Sequence, residues 1–115
     1  MSKLYLTTPL YYVNDKPHIG HAYTTILADV IARYHRIMGD EVYFLTGTDE
    51  HGQKVQDAAS NRNVNPKIHV DEYVLRFKAL WEKLYIEYDD FIRTTDVRHT
   101  ERVKELLISL YEKDE

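Results

Sequence analysis

Lys3-Leu4-Tyr5-Leu6-Thr7-Thr8, then Pro9-Leu10-Tyr11-Tyr12-Val13-Asn14-Asp15-Lys16-Pro17, then His18-Ile19-Gly20-His21 is the stretch that decides the fold. Its first six residues are apolar or β-branched and stop at a proline, which predicts a strand. The next nine are bracketed by Pro9 and Pro17 and predict a loop. Beyond His21, residues Ala22, Tyr23, Ile26, Leu27, Val30, Ile31, Tyr34, Ile37 and Met38 recur at steps of one and three, which places them on one face of a long helix. Asp29 and Arg33, four apart, are expected on the other face, and Gly39 is placed to stop the helix.

Outward from there the alternation continues. Glu41 to Thr46 (EVYFLT) is almost continuously apolar, as expected of a strand covered on both sheet faces. The turn Gly47-Thr48-Asp49-Glu50-His51-Gly52 leads into a helix from about Gln53 to Asn61. Pro66 suits the first position of the next helix, where Val70, Tyr73, Val74, Phe77, Leu80, Trp81, Leu84, Tyr85 and Tyr88 form a stripe. Asp90 to Thr94 is a short third strand, and Val103, Leu106, Leu107, Leu110 and Tyr111 mark a last helix capped by Thr95 or Asp96. Strands alternating with helices predict an α/β fold, a Rossmann-like parallel sheet with flanking helices. Trp81, Phe77 and Leu84 are expected in the core; His35, His69 and His99, each isolated, carry no site.

Composition narrows the function. The 115 residues suit one domain, and 43% hydrophobic with 30% charged residues excludes wholesale disorder. A net charge of -4 argues against non-specific nucleic-acid binding as the main work. The absence of cysteine excludes a disulfide scaffold and a Cys-ligated zinc site within the chain. No run approaches the roughly 20 apolar residues of a membrane span, and Met1-Ser2-Lys3-Leu4 lacks signal-peptide shape, so the expectation is a cytoplasmic protein.

The chemistry is expected where the first strand hands over to the long helix, because ligands of open α/β sheets sit at the carboxyl ends of strands. A helix N-terminus offers unpaired N–H groups and attracts phosphate. His18 and His21, three apart in its first turn, can both donate to phosphate oxygens, and Gly20 lets a flat base or ribose approach the backbone. Neither GxxxxGK[ST] nor GxGxxG occurs, so this would be a nucleotide site without a Walker lysine. Two other readings of the bare tetrapeptide stay open: exposed histidines that merely begin a helix, and one half of a metal site, for which only two ligands are visible.

The string Thr7-Thr8-Pro9-Leu10-Tyr11-Tyr12-Val13-Asn14 with Pro17-His18-Ile19-Gly20-His21-Ala22-Tyr23-Thr24 resembles the HIGH region of class I aminoacyl-tRNA synthetases, the methionyl-tRNA synthetase family in particular. Phe44-Leu45-Thr46-Gly47-Thr48-Asp49-Glu50-His51-Gly52 and Asp90-Phe91-Ile92-Arg93-Thr94-Thr95 resemble the same family in register, so the likeness covers nearly the whole chain. The resemblance implies that residues 1–115 are the first half of the catalytic domain, with no second domain here. It implies ATP, accompanied by Mg²⁺, as cofactor, and methionine and tRNA(Met) as substrates.

Residue by residue, the resemblance implies catalytic and ATP-phosphate roles for His18 and His21, and places Gly20 under the adenine. Leu10 and Tyr12 would line the methionine pocket. Asp49 would hold the methionine ammonium, with capping of the next helix as its plainer alternative, and His51 would support the ATP side. It implies also that the KMSKS loop, the zinc-binding insertion of many members and the anticodon-binding domain lie outside this chain, so that the chain alone is inactive. The first strand, 3–8, would then be an open sheet edge prone to self-association. A small HxGH nucleotidyltransferase and a non-catalytic nucleotide-binding module are the alternatives; the GTDEHG and FIRTTD strings do not belong to the former.

Overall fold

The computed structural model describes residues 1–114. In chain order it contains β1 (Lys3–Thr7), β2 (Tyr11–Tyr12), α1 (Ile19–Ile37), β3 (Glu41–Asp49), α2 (Gln53–Asn61), α3 (Pro66–Lys83), β4 (Asp90–Arg93) and α4 (Val97–Glu112). All strand pairs are parallel. β3 is central: β1 pairs with its first half (Lys3↔Glu41 to Thr7↔Leu45), β2 with its end (Tyr11↔Thr48, Tyr12↔Asp49), and β4 with Leu45 to Thr48. The α/β parallel sheet with flanking helices is thus present.

Three helices end the same way. The N–H groups of Asp40, Val64 and Ile86 reach back five residues to the carbonyls of His35, Ala59 and Trp81, with Gly39, Asn63 and Tyr85 at positive φ just before them. Gly39 stops α1 as expected. The reversal at Tyr85 ends α3 at Lys83, so Tyr85 is exposed instead of continuing the stripe, and Tyr88 packs from the following segment.

Several boundaries move for physical reasons. β3 runs three residues past Thr46, because Gly47 is not a turn residue: it faces Ile92 across the β3–β4 ladder, where an added Cβ would sit 1.9 Å from the Ile92 carbonyl oxygen. Inside the expected loop 9–17, Tyr11 and Tyr12 form a two-residue strand against the extended β3. α1 starts at Ile19, because His18 is itself its N-cap.

The largest correction concerns α1. Its buried residues are Thr25, Ala28, Asp29 and Ala32, while Tyr23, Ile26, Leu27, Val30, Tyr34, Ile37 and Met38 are exposed. The small side of the helix faces the sheet, and the apolar stripe points away from it. Asp29, expected in solvent, is 5% exposed; it accepts from Arg33 Nε (2.7 Å) and from the Glu87 N–H (2.9 Å), stitching α1 to the segment before β4.

Both apolar clusters lie on one face of the sheet. Ala28 and Ala32 pack on Phe44, Leu6 and Val42; Val70, Tyr73, Val74, Phe77 and Trp81 pack with Tyr11, Val13, Val55 and Phe91. The register puts Phe91 beside Thr46 and Tyr11 beside Thr48, on the Phe44 face. The opposite face carries Tyr5 and Tyr43, rings 6.0 Å apart and 65% and 47% exposed, so the expectation that both sheet faces are covered does not hold among the described residues. α4 buries none of its residues. The molecule is accordingly a slab of 48 × 44 × 19 Å, its thinnest dimension matching one sheet and one layer of helices about 10 Å thick.

Candidate active site

The β2 segment, the loop after it and the first turn of α1 form a cleft of about 350 Å³ lined by Leu10, Tyr11, Tyr12, Asn14, Asp15, Lys16, His18 and His21. Four of the seven expected site residues therefore meet: Leu10, Tyr12, His18 and His21. Asp49, Gly20 and His51 lie outside the lining. Asp49 is the register partner of Tyr12 on β3, so strand alternation projects the two side chains to the same face.

The two histidines form a reciprocal cap. His18, with extended backbone (φ −129°, ψ 179°), accepts at Nδ1 from the Gly20 N–H (3.0 Å), and its own N–H donates to His21 Nδ1 (3.0 Å). Their ring centroids are 3.9 Å apart. With each Nδ1 occupied as an acceptor, each neutral ring carries its proton on Nε2, and neither Nε2–H has a partner among the described residues. His21 is further held edge-on against Tyr11 (4.9 Å) and Phe77 (5.2 Å), and the Tyr11 hydroxyl shares a 2.9 Å hydrogen bond with Thr25. Burial, and secondarily the neighbouring His18, hold the His21 pKa below its ordinary 6.5. Gly20 has a use the sequence does not reveal: a Cβ there would lie 2.8 Å from His18 Cε1, so its absence leaves room for the His18 ring.

Asp49 does not cap α2. The N-cap is Gly52, without a side-chain bond, and the only hydrogen bond of the Asp49 carboxylate among the described residues is a long one from the His51 N–H (3.4 Å). His51 lines a second recess of about 220 Å³ with Tyr12, Gly52, Gln53 and Lys54, which shares only Tyr12 with the cleft of the paired imidazoles. Among the described residues no group of three or more His, Asp or Glu is placed to hold a metal ion. No helix among the described residues is long and apolar enough to cross a membrane.

Three features escaped the sequence. Lys16, in the proline-bracketed loop, brings a cation to the cleft, and only that bracketing could have flagged it. Glu50, between Asp49 and His51, is buried and pairs with Arg93 at 2.7 Å. His69, isolated in the sequence, is fully buried and shares hydrogen bonds with the Val13 carbonyl (2.8 Å) and Arg62 (2.9 Å), tying α3 to the segment between β2 and α1.

Comparison with known proteins gives this geometry its lineage. The chain is similar to the methionine–tRNA ligase of Campylobacter jejuni, 53% identical over 109 residues that make up 95% of this chain and 17% of that protein. The methionine–tRNA ligase of Thermotoga maritima is 56% identical over 110 residues, 96% of this chain and 18% of its own. The chain thus spans about a sixth of the length of these curated relatives. The solved structure of Mycobacterium tuberculosis methionyl-tRNA synthetase in complex with methionyl-adenylate superposes with a TM-score of 0.90 at 46% identity, over 92% of this chain and 21% of that one. The family model described as tRNA synthetases class I (M) matches residues 4–115, and with it the chain belongs to that family.

Proposed function

We propose that residues 1–115 are the amino-terminal part of a HIGH-motif catalytic domain whose whole protein activates methionine with ATP and transfers it to tRNA(Met), work that belongs to the cytoplasm. The observation that carries this reading is the pair of imidazoles, each locked by its Nδ1 and each without a partner at Nε2 among the described residues, in one cleft with Leu10 and Tyr12. In the first step a methionine carboxylate oxygen attacks the α-phosphorus, the bond to the bridging oxygen breaks, and pyrophosphate leaves with that electron pair. In the second, a ribose hydroxyl of the tRNA attacks the carbonyl carbon and AMP leaves. Neither step needs a protein nucleophile. Both need positioning and donors aimed at developing charge.

His18 and His21 are the donors toward the phosphates, and Gly20 leaves space at the helix start for the His18 ring and the nucleotide. Leu10 and Tyr12 line the methionine side. Asp49 meets the methionine ammonium as a charge-assisted acceptor. The cleft has one carboxylate, Asp15, so Mg²⁺ would arrive on the ATP phosphates and not in a protein cage. Zinc has no part in this reading, since the chain has no cysteine to ligate it.

The test is methionine-dependent ATP–pyrophosphate exchange. The chain by itself is expected to give none. Mixed with the remainder of the Thermotoga maritima relative it is expected to give exchange, and Asp49→Ala should lower kcat/KM for methionine by about 10–100-fold, the worth of one bond to a charged group. A mixture that assembles but shows no exchange overturns the reading.

We also propose that β1 mediates self-association. Ser2 O and Thr8 N bond to β3, so by alternation the N–H and C=O groups of Lys3, Tyr5 and Thr7 point outward and unpaired. Sedimentation at rising concentration should show dimers or larger species; a chain that stays monomeric at high concentration removes the proposal.

A further inference from the structure

Asp49 has almost nothing of its own to hold it: one long hydrogen bond to its carboxylate. Its neighbours are bound far more firmly. Strand alternation sends Thr48 and Glu50 to the helix-covered face and Asp49 to the other. The Glu50 side chain is fully buried, and its carboxylate accepts four hydrogen bonds: from Thr48 Oγ1 (2.7 Å), Arg93 Nε (2.8 Å), Arg93 Nη2 (2.7 Å) and Thr95 Oγ1 (2.9 Å). The Glu50 N–H donates to Thr94 Oγ1 (2.8 Å). Arg93 Nη2 continues to Asp71 Oδ1 on α3 (2.6 Å), an oxygen that also receives Lys67 (2.6 Å). The end of β3 is therefore pinned from β4, from the segment entering α4 and from α3.

A buried ion pair is weak evidence for stability, because desolvating two charges offsets most of their attraction. What a bidentate pair supplies is geometry: two parallel bonds allow one orientation. Here the oriented object is the peptide unit next to Asp49. We propose that Glu50, gripped by Arg93, is the positioning residue for Asp49: the buried pair fixes the end of β3 so that the Asp49 carboxylate stands beside Tyr12, ready for the ammonium group of the amino-acid substrate. This rests on the methionine-activation reading. It adds to it a pair that touches no substrate and acts through the backbone, where a displacement of about 1 Å can cost 10²-fold.

Arg93→Lys is the probe, since it keeps the charge and loses the fork. In the reconstituted exchange assay it should raise the KM for methionine about 10-fold and leave the KM for ATP within about 2-fold. In an Asp49→Ala background the same change should add less than about 2-fold, because a residue acting through Asp49 has nothing left to act through. Equal effects in the two backgrounds, or a parallel rise in the KM for ATP, identify a merely structural pair and overturn the proposal. Amide hydrogen exchange on the 115-residue chain tests the same point without activity. Glu50 and His51 should exchange about 10-fold faster in Arg93→Lys, while Leu6 and Tyr43 in the β1–β3 ladder keep their rates. Unchanged protection at Glu50 overturns the positioning role. Absence of exchange activity in every mixture would instead remove the methionine reading.

Discussion

Gly47→Ala is expected to destabilise the fold severely. The new methyl group would lie 1.9 Å from the carbonyl oxygen of Ile92 and 2.9 Å from its carbonyl carbon. Both are backbone atoms of a paired strand, so no rotamer change relieves the overlap. The only escape is to part β3 from β4 between Leu45 and Arg93, which breaks the ladder and draws Arg93 away from Glu50. Overpacking in a core costs about 1–3 kcal/mol when side chains can shift; where only backbone can move, the cost should exceed about 3 kcal/mol. Against a total stability of about 5–15 kcal/mol that leaves a marginal or unfolded chain. Thermal unfolding followed by the near-ultraviolet signal of Trp81 checks this. A Tm lowered by less than about 5 °C would show that the strands separate far more cheaply than the geometry allows.

His21→Asn is expected to lower the rate of adenylate formation by about 10²–10³-fold with little change in stability. Asparagine can place its oxygen near the position of Nδ1 and so keep the cap on the His18 N–H, but it has no counterpart to the Nε2–H donor. The loss expected is that of one preorganised donor to developing charge. The measurement is single-turnover adenylate formation in the reconstituted mixture, alongside thermal unfolding of the chain. A large loss of Tm with an unchanged rate would make His21 a cap and nothing more. The pH dependence has a definite sign. Burial lowers the folded-state pKa of His21 below 6.5, so between that lowered value and 6.5 the unfolded chain binds more protons than the folded one. His21's contribution to stability is therefore complete above pH 6.5 and declines as the pH falls through that window.

The strand and helix alternation was legible because the periods are clean, and α2 runs over the expected residues, Gln53 to Asn61. The meeting of His18 and His21 with Leu10 and Tyr12 in one cleft was legible because all four flank the passage from a strand end to a helix N-terminus. What was not legible depends on partners remote in sequence. Gly47 resembles a turn until Ile92 is laid beside it, and Glu50 resembles a surface acid until Arg93, 43 positions on, closes on it. The face of α1 failed for a different reason. Hydrophobic periodicity finds the apolar side of a helix but does not say what covers it, and here Thr25, Ala28 and Ala32 meet the sheet while the larger residues face away.

That choice of face sets a height. A helix that rests on alanines lies closer to its sheet than one that rests on leucines, and α1 is a rod of 19 residues, about 28 Å at 1.5 Å per residue. Ala28 and Ala32 are its bearing points, pressed against Phe44, and His21 projects from the same rod seven and eleven residues away. The elevation of the His21 imidazole above the strand ends is thus metered by two methyl groups set two and three turns along the helix from it.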